Sequence, residues 1–93
     1  MLNLTDVLGL TPGVVSRESE DELLVVLPEE GKYIVLNGTG ADVFQLMDGQ
    51  RSLEDVASVL GERYNVPLER TQADVLALAQ KMLDRGAVCL QDE

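Results

Sequence analysis

Few residues in this chain could carry covalent or metal chemistry. It has one cysteine, Cys89, and no histidine. A reactive thiolate needs a basic neighbour to lower its pKa, and Ser-His-Asp triads and Cys/His zinc sites need groups that are missing here. Cys89 lies in the apolar run Ala87-Val88-Cys89-Leu90, where a thiol behaves as a small hydrophobe. Carboxylates cluster in Glu18-Ser19-Glu20-Asp21-Glu22, but without the spacing and glycine of an EF-hand loop, so the run reads as a hydrated turn. Asn37-Gly38-Thr39-Gly40 imitates a phosphate loop at a strand-to-helix junction. It carries no lysine and is too short for a P-loop, and its glycines suit the turn itself. No catalytic residue, metal or cofactor is implied. The chemistry left to this chain is recognition.

The elements that must position such a site are legible from residue patterning. The 93 residues are 45% hydrophobic and 26% charged with 3% aromatics, which suits one small domain with an aliphatic core. Thr11-Pro12-Gly13 is a turn signal that divides an N-terminal arm, residues 1–12, from a single domain over residues 13–93. The arm mixes Leu2, Leu4, Val7, Leu8 and Leu10 with polar residues and fits a short helix, a docking arm or a tail. Beyond it, Val14-Val15-Ser16, Leu23 to Leu27 and Tyr33 to Leu36 are short β-branched runs separated by polar or turn sequences, which predicts a three-stranded antiparallel meander.

Three helices follow. Thr39 with Asp42, and Ser52 with Asp55, each have the spacing of a capping box. The first helix is expected over residues 40–47, ending near a left-handed Gly49, and serves as scaffold. The second runs from Leu53 to about Tyr64, with Leu53, Val56, Ala57, Leu60 and Tyr64 on one face. The third starts near Pro67 and runs to Arg85 before Gly86, and Ala87 to Leu90 forms a last extended piece.

The third helix is more apolar than a core-covering helix requires. At roughly 100° per residue, Leu76, Leu78, Ala79, Met82 and Leu83 spread with Val75 over about 160°, against ~100° for a simple core face. Leu78 and Met82 flank one side of that arc, and Leu76 and Leu83 the other. The surplus must meet either another element, such as the arm or the last strand, or a partner. Asp74, Lys81 and Arg85 line the Leu78 flank and would form the rim of any groove there.

Seventeen acidic against seven basic residues give a formal net charge of −10, a field that repels phosphate backbones and anionic lipid. Neither nucleic acid nor membrane is an expected partner. The N-terminus has no basic n-region, and no segment approaches the ~20 apolar residues of a membrane span, so the expected location is the cytoplasm. A lone cysteine permits no internal disulfide.

Taken in order, the third strand, Leu36-Asn37, Thr39-Gly40-Ala41, Asp48-Gly49, Ser52-Leu53-Glu54-Asp55-Val56-Ala57, Tyr64-Asn65-Val66, Asp74-Val75, Leu83 and Gly86-Ala87-Val88 resemble the PqqD-like proteins. These are recognition elements for ribosomally made, post-translationally modified peptides, and the resemblance covers residues ~13–90 through many weak features in one order. It implies an α+β fold, a three-stranded antiparallel sheet followed by three helices in a winged helix-turn-helix-like arrangement. It also implies that the leader of a precursor peptide adds as a strand to the third strand, Lys32, Tyr33, Ile34, Val35 and Leu36, against the third helix. The edge supplies unpaired backbone groups. Pockets from Tyr33, Val35, Val75, Leu78, Ala79 and Met82, with Asp74, Lys81 and Arg85 at the rim, read the leader's side chains. The implied partners are the precursor peptide and a separate maturation enzyme, either a leader peptidase or a radical S-adenosylmethionine protein.

Two other readings use the same elements. A winged-helix DNA-binding regulator shares the topology, but Arg70, Lys81 and Arg85 are balanced by Glu69, Asp74 and Asp84 on the third helix, which leaves no basic face. A structural dimerisation module would use the strand edge on a second copy of itself.

Overall fold

The computed structural model of the chain describes residues 2–28 and 31–91. Its elements, in order, are β1 (Leu8–Leu10), β2 (Val15–Ser19), β3 (Glu22–Val26), β4 (Tyr33–Asn37), α1 (Gly38–Leu46), α2 (Leu53–Tyr64), α3 (Leu68–Asp84) and β5 (Val88–Leu90). The expected meander is present as an antiparallel sheet in the order β2-β3-β4. Alternation along β3 buries Leu23 and Val25, and their partners Leu36 and Ile34 on β4 turn the same way. The polar run after Arg17 does not interrupt the hairpin. Strands β2 and β3 extend into it, Ser19 pairs with Glu22, and Glu20 takes a left-handed φ of 53° to close the turn.

The arm is stitched into the fold as well. Strand β1 pairs antiparallel with β5 in a second, two-stranded sheet. Ahead of it, the carbonyls of Leu4 and Asp6 accept the Glu54 and Leu53 N–H groups at 2.8 and 2.9 Å, satisfying donors that the first turn of a helix otherwise leaves open. Leu8 is fully buried and Leu2 nearly so, both within the single core. Leu2 also borders a surface pocket together with Leu76 and Ala77 of α3. The Leu76 side of α3 thus faces the chain's own N-terminus, and Leu76 and Leu83 are partly buried against the core.

Helix α2 begins at Ser52 with a complete capping box: the Asp55 N–H donates to Ser52 Oγ at 3.2 Å and the Ser52 N–H to Asp55 Oδ2 at 3.3 Å. The box expected at Thr39 and Asp42 is absent. Helix α1 already starts at Gly38, with Asn37 as its uncapped N-cap, which leaves Thr39 inside the first turn. Asp42 instead accepts the Tyr64 hydroxyl and faces Arg63 at 3.6 Å. Gly38, at φ 53°, makes the sharp strand-to-helix corner that a Cβ would strain. Gly49 is left-handed at φ 82° as expected, but stands two residues beyond the Met47 cap. No described helix is long and apolar enough to cross a membrane.

Candidate functional site

Strand β4 is an edge of its sheet, and the hydrogen-bond phase determines which of its groups are unpaired. The Leu27 N–H donates to the Lys32 carbonyl at 3.1 Å, and the register then pairs Val25 with Ile34 and Leu23 with Leu36. In an antiparallel ladder hydrogen-bonded and non-hydrogen-bonded pairs alternate. Ile34 and Leu36 therefore bond inward to β3, while Tyr33 and Val35 turn their N–H and C=O groups to the open edge. No other described strand pairs there.

Helix α3 stands across this edge without extensive contact to β4, and α1 packs against both. A seam with a cavity at each end results. One cavity, about 510 Å³, lies between Leu27, Lys32 and Tyr33 at the start of β4 and Asp84 and Arg85 at the end of α3. The other, about 390 Å³, lies beyond the exit of β4, lined by Thr39, Gly40 and Val43 of α1, Leu60 and Tyr64 of α2, and Arg70, Asp74, Val75 and Leu78 of α3. Strand and helix thus run in opposite directions along the seam. Gly40 sits between its walls: a Cβ there would meet Leu36 Cδ2 at 3.7 Å and Leu78 Cδ2 at 3.8 Å. Tyr64 rims the second cavity, and the hydrogen bond from its hydroxyl to the Asp42 carboxylate raises the phenol's pKa, since ionisation would break that bond and set two negative charges together.

The expected site residues divide into three groups. Ile34, Leu36 and Leu78 are half-buried and packed on the core at the seam. Lys32, Asp74, Lys81 and Arg85 are exposed; Asp74 lines one end cavity, and Lys32 and Arg85 the other. The remainder do not lie where a pocket wall was expected. Ala79 and Met82 are 0% and 2% exposed, filled into the core with Val75, which reaches only the floor of the second cavity. Tyr33 and Val35 are exposed, and period-two alternation sets their side chains on the sheet face of Val26 and Leu24, although Tyr33, at the strand's start, also borders the cavity at Asp84 and Arg85. The inward partners at the seam are Ile34 and Leu36.

Residues of α1 and α2 line the cavity although sequence reasoning assigned them elsewhere. The first helix was expected to be scaffold only, yet Thr39, Gly40 and Val43 form one side. Tyr64 was expected on the core stripe of α2 and is 45% exposed. Its place at the last turn of the helix is the one signal that separates it from Leu53, Val56 and Leu60.

Comparison with known proteins places this architecture. The family model described as coenzyme PQQ synthesis protein D (PqqD) matches residues 22–88. The chain belongs to the PqqD family. That match runs from β3 to the start of β5 and so includes both walls of the seam. The chain is 30% identical over 69 residues to a PqqA binding protein of Bradyrhizobium diazoefficiens, a match covering 74% of this chain and 65% of that protein. It is 29% identical over 68 residues to a PqqA binding protein of Gluconobacter oxydans, covering 73% and 69%. Among solved structures, a lasso peptide synthetase B1 complexed with its leader peptide superposes with a TM-score of 0.79 at 24% identity, covering 88% of this chain and 96% of that one. The PqqD portion of Methylobacterium extorquens PqqCD, described as a functional stand-alone recognition element for such peptides, gives 0.79 at 20% identity, covering 96% and 95%. At these identities the structural likenesses establish the α+β fold of the family, three helices with antiparallel sheets.

Proposed function

We propose that this chain is a non-catalytic recognition protein that captures the leader of a ribosomally made precursor peptide. The leader adds as a strand to β4, and the complex is presented to a separate maturation enzyme, a leader peptidase or a radical S-adenosylmethionine protein. The observation that carries this reading is the open edge of β4, where Tyr33 and Val35 each turn both N–H and C=O outward, beside an α3 that leaves a seam rather than packing on it. Such an edge supplies sequence-independent affinity, and side-chain pockets supply choice. Membership of a family whose curated relatives are called PqqA binding proteins supports it, as does a similar fold complexed with a leader peptide. The sheet and the α2–α3 pair, joined through Asn65, Val66 and Pro67, serve as a winged helix-turn-helix-like frame for a peptide rather than for DNA. The complex works in the cytoplasm. Among the described residues no group of three or more His, Cys, Asp or Glu side chains could hold a metal.

The test is selection of peptides from a random 20-residue display library on the immobilised protein, then fluorescence anisotropy of one winner on a Leu78→Asp variant. A carboxylate at the half-buried seam wall removes the apolar contact opposite Leu36, and binding falls by about 30-fold or more, the scale of an interface hot spot. Circular dichroism shows a folded protein. Binding retained by a folded Leu78→Asp variant refutes the seam, and failure to select any peptide refutes peptide capture.

A further inference from the structure

We infer that a captured peptide is read on both faces of the strand it adds, with Tyr33 and Val35 as specificity residues for its outward-facing side chains. The inference rests on strand addition at β4 and names the class of peptide that site takes.

Tyr33 and Val35 are 63% and 48% exposed, although each lies on the edge strand beside a seam that could have buried an apolar side chain. The register places them in cross-strand rows. Val15 pairs with Val26 and Val26 with Tyr33, so three apolar side chains stand in line across β2, β3 and β4. One step along, Leu24 stands beside Val35. Both rows stop abruptly at the open edge. Val15 and Val26 are exposed too, so among the described residues no element of the chain covers this face.

The backbone phase couples these rows to the peptide. Tyr33 and Val35 are the residues whose N–H and C=O groups point to the open edge, so an antiparallel strand added there makes its hydrogen-bonded pairs with them. Residues directly opposite in such pairs carry their side chains on the same face, with Cα atoms about 5.5 Å apart. The peptide residue opposite Tyr33 becomes the fourth member of the Val15, Val26, Tyr33 row, and the residue opposite Val35 lies two positions away and joins Leu24 and Val35. The peptide residue between them lies opposite Ile34 and points the other way, onto the core-facing side of the sheet that Ile34 shares with Leu36. The fitting peptide class therefore carries β-branched or aromatic residues at two outward positions, i and i+2, flanking an apolar residue for the seam. A leader that alternates apolar and charged residues would satisfy the seam and leave Tyr33 and Val35 uncovered.

The experiment runs the display selection in parallel on the wild-type protein and on a Tyr33→Thr/Val35→Thr variant, which keeps strand-forming β-branched residues while removing most of the apolar surface. Wild-type winners are expected to share a run of consecutive apolar positions. Variant winners should keep the apolar preference at seam-facing positions and lose it at the alternate ones. A wild-type winner should bind the variant about threefold to twentyfold more weakly. Thermal melts establish folding, and the single variants Tyr33→Thr and Val35→Thr carry the same comparison if the double variant does not fold. An unchanged pattern with unchanged affinity overturns the inference while strand addition stands. Wild-type protein that selects no peptide overturns the reading beneath it.

Discussion

Val35→Pro separates strand addition at β4 from any other mode of peptide binding. The Val35 N–H faces the open edge, because Val35 and Leu24 form a non-hydrogen-bonded pair of the β3–β4 ladder. Proline there removes no internal hydrogen bond, and edge strands tolerate it with the missing N–H outward. An added peptide would lose a net 0.5–1.5 kcal/mol for the missing bond, and a further ~1–3 kcal/mol for its own carbonyl left unpaired in the seam. The expected sum of about 1.5–4.5 kcal/mol is a loss of roughly 10- to 2,000-fold in affinity. Two controls isolate the cause. Val35→Thr changes the side chain alone and should weaken binding far less. Ile34→Pro removes a donor bonded inward to Val25, which leaves the Val25 carbonyl unpaired at a cost of about 1–3 kcal/mol of folding stability, and should lower the melting temperature. Anisotropy with a display-selected peptide, beside thermal circular dichroism, gives all three results. A folded Val35→Pro protein that binds within threefold of wild type would show that β4 is not the receiving edge.

Three further outcomes test the frame around the site. Leu8→Ala empties a fully buried position in the β1–β5 clasp, so calorimetry should show a loss of about 2–5 kcal/mol and a melting temperature lower by roughly 8–40 °C; Leu10→Ala, at 42% exposure, should cost less than about 1 kcal/mol. Ser52→Ala removes the hydroxyl of the α2 capping box and should cost about 1 kcal/mol, a melting shift of roughly 4–8 °C. The Asp48 carboxylate accepts the Arg51 and Gln50 N–H groups at 3.1 and 3.0 Å and pairs with the Arg51 guanidinium at 2.7 Å. The Arg51 and Gln50 amides are the main reason that its pKa lies below the usual carboxylate value. A depressed folded pKa contributes stability that is present above the unfolded pKa and lost as pH falls through the folded one. Melting temperatures of an Asp48→Asn variant should therefore vary less than wild type between about pH 4 and 2.

Much of the frame is local and was readable for that reason. The β-branched runs of β3 and β4, the 3.6-residue stripe of α2, Ser52 three residues before Asp55, and Asn65-Val66-Pro67 between α2 and α3 each state their conformation within a few residues. One wall of the candidate site was legible on α3 in the same way, since an apolar arc wider than a core face must meet something. Sequence could not say which flank stays open. Leu2 and Leu76 border one pocket, which brings together residues more than seventy positions apart, while Leu78 stands at the seam. The arm was ambiguous for a related reason: its leucines have no period of their own, and their partners lie in β5 and at the start of α2.

Absence of His, a single Cys and a charge of −10 turn the reading of the sequence alone toward recognition by backbone and apolar side chains, and away from an expected polyanionic partner. The order of elements was determined there as well, because propensity, capping and period are properties of neighbours along the chain. Tertiary structure alone decided which side chains and backbone groups are open at the β4 edge and the seam. Hydrogen-bond phase turns Tyr33 and Val35 outward while opening their backbone to the edge, close packing takes Ala79 and Met82 into the core, and the corner at Gly38 brings Gly40 and Val43 to the seam. These assignments depend on register and on packing between distant segments, and a one-residue shift in the pairing of β4 would reverse every one of its side chains.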